Sequence, residues 1–223
     1  MTRAPRHVGI IPDGTRRWSR RHEVPLAEGY LRAMGNLAHL VDALYARGVA
    51  IVSVYLLSRR NLARPAEELD AVFRAERHLC EHLLPPVLED HGVRVSAVGD
   101  PSLVPRGFRR ALSRLTGPGA GDGAPPRPAS GRTLNLLVAY DAWEELRSPR
   151  TPRGADGRPV LGVREDVDLV IRTGGGTLLS GFLPLQSQYA HLHTFDRLFN
   201  DLTPADLAAA LAAFARHERL QGR

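Results

Sequence analysis

Asp13 stands in P-D-G directly after the apolar run H-V-G-I-I, and four arginines follow it at positions 16, 17, 20 and 21. Guanidinium groups match phosphate oxygens with a planar, two-pronged set of donors, so the arginines point to a phosphate-bearing ligand. Backbone N–H groups at a helix opening near Thr15 would add to the same field. Asp13 is the discordant member, because a carboxylate there repels the anion that the arginines attract. The same residues also fit a plainer description, with Asp13 as a turn or capping residue and the arginines as a solvated helix face. This stretch by itself leaves both readings open. Two further polar segments follow apolar runs in the same way: S-R-R-N-L-A-R-P at 58–65 and R-T-G-G-G at 172–176. The three glycines are a weak phosphate signal, since a tight turn explains them equally well.

The elements that would position these residues alternate along the chain. Short apolar runs predict strands at 7–11, 49–57, 93–98, 134–140 and 167–171. Helical spacing of apolar residues predicts helices at 25–47, 66–88, 105–115 and 204–220, with a shorter one opening at 15–21. Continuous apolar strands between helices indicate a single α/β domain over 1–223, with a mainly parallel central sheet and helices on both faces. Ligands bind such sheets at the carboxyl ends of the strands, so the three polar segments are expected on one edge. No G-x-G-x-x-G follows the first strand, which excludes a Rossmann glycine motif. The segment 117–132, rich in proline and glycine, reads as a mobile surface loop, and 147–162 has a similar composition.

Composition narrows the function classes. The chain has 223 residues and a net charge of +6, with 30 basic residues that are all arginine against 24 acidic ones. Much of that arginine is explained by compositional habit, and no nucleic-acid motif or aromatic-interleaved basic run accompanies it, so no nucleic-acid partner is expected. No apolar run approaches the roughly 20 residues of a membrane span. No secretory apolar segment follows Met1, and the single cysteine, Cys80, excludes an internal disulfide framework or a multi-cysteine metal site. These features suggest a cytoplasmic protein.

Taken in order, the three polar segments resemble the signatures of the cis-prenyltransferases, the family of undecaprenyl diphosphate synthase. D-G-T-R-R-W at 13–18 is similar to the family's D-G-N-G-R-W, and S-R-R-N-L-A-R-P at 58–65 to S-x-E-N-W-x-R-P. The segment 168–191, D-L-V-I-R-T-G-G-G-T-L-L-S-G-F-L-P-L-Q-S-Q-Y-A-H, is similar to the family's third signature. The resemblance implies the fold already inferred and a homodimer. It also implies an allylic prenyl diphosphate held by Gly14, Thr15, Arg16, Arg17 and Trp18 of the first loop together with Arg64, and a second diphosphate held by Arg172 and Ser180. It gives Asp13 a role as ligand to Mg²⁺, which lies between carboxylate and phosphate and assists departure of diphosphate. Asp13, Asn61 and Arg64 are then the catalytic candidates.

Departures from the family pattern bear on the reaction. Leu26 and Tyr30 stand where an arginine and a histidine hold the donor diphosphate in the family, and Arg16 replaces a glycine. The first motif with Leu26 and Tyr30 looks closest to the irregular branch that makes cyclolavandulyl diphosphate. In the second diphosphate site Arg172 and Ser180 remain, but Leu178, His191 and Leu220 occupy positions of charged residues. Each lost charged hydrogen bond corresponds to roughly 1.5–3 kcal/mol. His191 offers a ring nitrogen to a metal, but Mg²⁺ prefers oxygen, which counts against it. His193 and Asp168 are expected to be a packed histidine and a strand cap.

Three functions fit this pattern. The leading expectation is a terpene-synthase-like enzyme that ionises one allylic diphosphate to a cyclised or hydroxylated product. The alternatives are a prenyltransferase joining two isoprenoid diphosphates and a non-catalytic subunit of a heteromeric enzyme. Retained Asp13, Arg17, Asn61 and Arg64 argue against the last.

Overall fold

The computed structural model describes residues 4–117, 130–149, 151–155, 157 and 159–216. Six strands form one sheet: β1 (His7–Ile11), β2 (Ile51–Tyr55), β3 (Arg94–Gly99), β4 (Thr133–Val138), β5 (Leu169–Arg172) and β6 (His191–Thr194). Their order is β3-β4-β2-β1-β5-β6, and every pairing is parallel. The helices are α1 (Thr15–Arg21), α2 (Leu26–Ala46), α3 (Ala66–His78), α4 (Leu84–His91), α5 (Arg106–Thr116), α6 (Ala142–Arg147) and α7 (Pro204–Arg216).

The period of two along each strand divides the core. Val8, Ile10, Val52, Val54, Leu169 and Ile171 pack into the larger cluster, under α2, α3, α5 and α7. Ile11 and Val170 face the other way, against Phe182, Leu183 and Val167, with α6 joining through Ala142. A buried polar ladder crosses the sheet: His7 Nε2 lies 2.8 Å from Ser53 Oγ, which also accepts from Asn135 Nδ2 at 2.9 Å. Burial lowers the affinity of His7 for a proton, so its imidazole stays neutral in the sheet. Asp168, expected to cap the strand it precedes, accepts from the backbone N–H groups of Arg6 (2.7 Å) and His7 (2.9 Å) at the start of the neighbouring β1.

Three elements differ from expectation. The helix expected at 66–88 is interrupted by a π-helical turn at Leu79–Leu83. Pro85 and Pro86 lack the N–H groups that a continuing α-helix would donate, so the turn widens and the chain restarts as α4. Strand β6, H-L-H-T, is a half-exposed edge strand with little apolar signal. Helix α6 is a short element opened by Asp141, whose carboxylate accepts from the N–H groups of Trp143 and Glu144. Residues 118–129 of the loop expected at 117–132 lie outside the described residues, as does Leu220.

Candidate active site

Strands β2, β1 and β5 lie side by side, so the loops that leave their carboxyl ends share one edge, as expected. The first and third loops are stitched together at the backbone. Asp13 N donates to Thr173 Oγ1 at 2.9 Å, and that hydroxyl donates to Asp13 O at 2.7 Å. Gly14 follows with φ 114°, where an added Cβ would press on Leu198 at 2.8–3.2 Å. A glycine is therefore required at this turn.

The carboxylate of Asp13 does not face the anion field alone. Arg17 Nη2 donates to its Oδ1 at 3.2 Å and Arg172 Nη2 to its Oδ2 at 3.0 Å. Arg17 also donates to Gly174 O at 2.9 Å, and Arg172 donates to Ser180 Oγ at 2.7 Å and to Leu178 O. The G-G-G run makes this possible. A Cβ on Gly174 would collide with the Arg17 guanidinium, and one on Gly176 with that of Arg172. The glycines give two arginines room to close on one carboxylate.

The second loop brings a further charged group that sequence reasoning missed. Glu68, one turn after Arg64 on α3, is buried, with Arg64 at 3.5 Å and Arg16 at 3.6 Å. Tyr30 donates to Glu68 Oε1 at 3.0 Å and accepts from Arg64 Nη1 at 3.2 Å. Burial, opposed by Arg64 and reinforced by Glu68, pushes the Tyr30 phenol well above its ordinary range, so it remains a donor. The i, i+4 spacing of Arg64 and Glu68 was the available signal. Asn61 closes a capping box: its N–H donates to Ser58 Oγ, and its side-chain oxygen accepts from Ser58 N. Only its amide N–H₂ remains to serve a ligand.

These loops open into a cavity of about 560 Å³. Asp13, Gly14, Thr15, Arg16, Arg17, Asn61, Arg64, Arg172 and Ser180 all line it. Its opposite end is apolar, between Ala33 and Met34 of α2 and Val72 and Ala75 of α3. At the charged end five arginines (Arg16, Arg17, Arg20, Arg64 and Arg172) stand against Asp13 and the buried Glu68, a balance that suits a diphosphate, while the apolar end suits a hydrocarbon. Helix α1 has seven residues, so the arginine side chains rather than a helix dipole supply most of the field. A larger cleft of about 840 Å³ lies by β3 and β4, but its acids are engaged structurally: Asp100 and Asp141 cap helical turns, and Glu145 binds Tyr140 and Gly162.

Trp18, an expected ligand, stands elsewhere, and so does His191, which was doubted as one. Trp18 is buried away from the cavity, its indole N–H donating to Asp201 at 2.8 Å with Arg32 over the ring at 5.1 Å. The indole's one donor is thus already used. His191 pairs with Leu169, three ladder positions before Arg172, and packs near His193 and Phe214. At about 3.3 Å per residue, that sets it roughly 10 Å back from the cavity edge within this protomer. Leu178 is exposed and contributes its carbonyl, not its side chain, to Arg172. Tyr140 packs on the other face of the sheet.

The family model described as undecaprenyl diphosphate synthase matches residues 11–151 and 158–222. An isoprenyl transferase 1 from Bradyrhizobium diazoefficiens is 31% identical over 97% of this chain and 89% of its own length. A tritrans,polycis-undecaprenyl-diphosphate synthase (geranylgeranyl-diphosphate specific) from Aeropyrum pernix is 33% identical over 98% of this chain and 99% of its own. Among solved structures, lavandulyl diphosphate synthase from Lavandula x intermedia, in complex with dimethylallyl diphosphate, shares the fold with a TM-score of 0.85. That match is 24% identical and covers 99% of each chain.

Proposed function

The chain belongs to the undecaprenyl diphosphate synthase family of cis-prenyltransferases and is an enzyme of prenyl diphosphate chemistry; from that premise we propose that it joins an allylic diphosphate to a second isoprenoid diphosphate, with Mg²⁺ as cofactor. Arg172 carries this reading. Its guanidinium links Asp13 of the donor loop to Ser180 of the third motif, which supports one cavity serving two diphosphates. The relatives that match nearly the whole chain carry the names isoprenyl transferase and undecaprenyl-diphosphate synthase, which favours two substrates over the single-substrate reading drawn from the lost charges. The first motif, with Leu26 and Tyr30, favours an irregular condensation. Product that forms only when two diphosphates are supplied is the test.

In this reading Arg16, Arg17 and Arg64 hold the donor diphosphate and meet the negative charge that grows as the allylic C–O bond breaks. The electron pair leaves with diphosphate, the acceptor's alkene supplies the pair for the new C–C bond, and a proton then passes from carbon to the released diphosphate, leaving a new alkene. Asp13 fits a Mg²⁺ ligand: each carboxylate oxygen takes one arginine and keeps lone pairs, and the group opens onto the cavity. A cation held there by Asp13 would be completed by phosphate oxygens and water. When bound, Mg²⁺ neutralises diphosphate charge. We further propose a homodimer through the edge beside β6, where Tyr189, Leu178 and Leu185 are exposed.

One observation favours the single-substrate reading as second choice: Leu178 places no charge in the acceptor half. No helix among the described residues is long and apolar enough to cross a membrane.

A further inference from the structure

Glu76 lines the apolar end of the cavity, beside Val72 and Ala75. It is 2% exposed, and its Oε2 has no hydrogen-bond partner among the described residues. It lies ten residues after Ala66, about 15 Å along α3 at the usual helical rise. Helical side chains lean toward the N-terminus of their helix, so the carboxyl leans back toward Arg64 and the charged mouth. A chain anchored by its diphosphate at Arg64 would bring its far end to Glu76.

Burial pushes this carboxyl up to about 8, with Arg64 pulling in the opposite direction. At neutral pH it is therefore mainly a carboxylic acid, with one O–H donor and a carbonyl acceptor. Buried polar atoms in native proteins nearly always have partners. A plain hydrocarbon tail in this cavity would shut the carboxyl away with none. A tail with an oxygen function would satisfy it.

We propose that the cavity selects a prenyl diphosphate whose tail carries a hydroxyl group at the end that reaches Glu76. This rests on the reading that a prenyl diphosphate occupies the cavity. A site built to hydrogen-bond a hydroxyl discriminates strongly against the analogue that lacks it, because the site's polar group is then left unpaired. Glu76 acts here on selection and not on the bond-breaking step, which takes place at the other end of the cavity.

Calorimetry tests this on the intact protein with Mg²⁺ present. The ligands are geranyl and farnesyl diphosphates, their terminally hydroxylated forms, and inorganic diphosphate. At least one hydroxylated chain is expected to bind tenfold or more tightly than its parent. Glu76→Gln, which keeps a neutral hydrogen-bonding group, should retain the preference. Glu76→Leu should abolish it and strengthen binding of the parent, while inorganic diphosphate binds all three proteins alike. Equal affinity for parent and hydroxylated chains in the wild type would overturn the proposal, since water would then satisfy the carboxyl. A preference that survives in Glu76→Leu would overturn it as well. If no prenyl diphosphate binds more tightly than inorganic diphosphate, the underlying reading falls and takes this one with it.

Discussion

Arg172 donates to the carboxylate of Asp13 at 3.0 Å across the gap between the loops that follow β1 and β5. A carboxylate in a phosphate site is thereby neutralised before any ligand arrives, and Arg17 completes the bracket from the other side. Removing Asp13 alone leaves two guanidiniums without their anion and removes the oxygen proposed for Mg²⁺. Asp13→Ala should lower the rate of diphosphate release at least ~100-fold, the range found for one preorganised electrostatic group. The measurement is coupled detection of diphosphate with Mg²⁺ in excess. Near-wild-type turnover would take Asp13 out of the mechanism.

Gly176 tests the bracket from the glycine side. Its α-hydrogen faces the Arg172 guanidinium, where a methyl group cannot fit. Gly176→Ala should displace Arg172 and reduce kcat/KM at least tenfold, with the melting temperature changed by no more than a few degrees. The comparison variant is Gly35→Ala, since Gly35 meets nothing within 4 Å. Equal activity of both variants would mean that the position of Arg172 is not critical.

The acid at Glu76 makes stability depend on pH. Its carboxyl has an ordinary value of 4.5 and is pushed up to about 8 by burial. Between those values the folded state holds a proton that the unfolded chain has released, so wild-type stability falls as pH rises through this window. Glu76→Gln does not titrate. Its advantage in melting temperature over the wild type should be small near pH 4.5 and grow toward pH 8. A gain of ~1 kcal/mol corresponds to about 2–4 °C in a domain of this size. A constant difference across the range would show that the carboxyl is not held neutral.

Association is the fourth expectation. Tyr189 is 75% exposed and Leu178 is 70% exposed, both in the segment that leads into β6. Light scattering at micromolar concentration should give twice the chain mass. Tyr189→Asp combined with Leu185→Asp should shift the protein toward the monomer. A monomeric wild type would remove the homodimer from the account.

Much of this site was legible because its parts are local. A strand, a P-D-G break and an arginine-rich turn follow one another within fifteen residues, and the three post-strand loops share an edge once the sheet is parallel. Glu68 was only partly legible: its i, i+4 spacing from Arg64 could be read, but its partners Arg16 and Tyr30 come from α1 and α2 and meet it only in the folded core. Trp18 was misplaced because a motif gives position in the chain and not the direction of a ring. His191 shows the same limit, since it sits on an edge strand whose alternation of histidine with Leu192 and Thr194 gave no strand signal. The interruption at Leu79–Leu83 was foreshadowed by Pro85 and Pro86, whose missing donors a continuous helix could not tolerate.

Two diphosphates reacting in the one cavity that Arg172 spans leave a product that can be followed directly. The most direct measurement incubates the purified protein and Mg²⁺ with dimethylallyl or geranyl diphosphate, each with and without isopentenyl diphosphate or a second allylic molecule. Mass spectrometry then follows the organic diphosphates and gas chromatography the hydrocarbons and alcohols. The expected product is a longer or branched diphosphate that appears only when two isoprenoid diphosphates can be drawn upon, and that disappears in Asp13→Ala. Release of a terpene hydrocarbon or alcohol from one geranyl diphosphate, at a rate independent of substrate pairing and unaffected by isopentenyl diphosphate, would contradict the two-substrate reading.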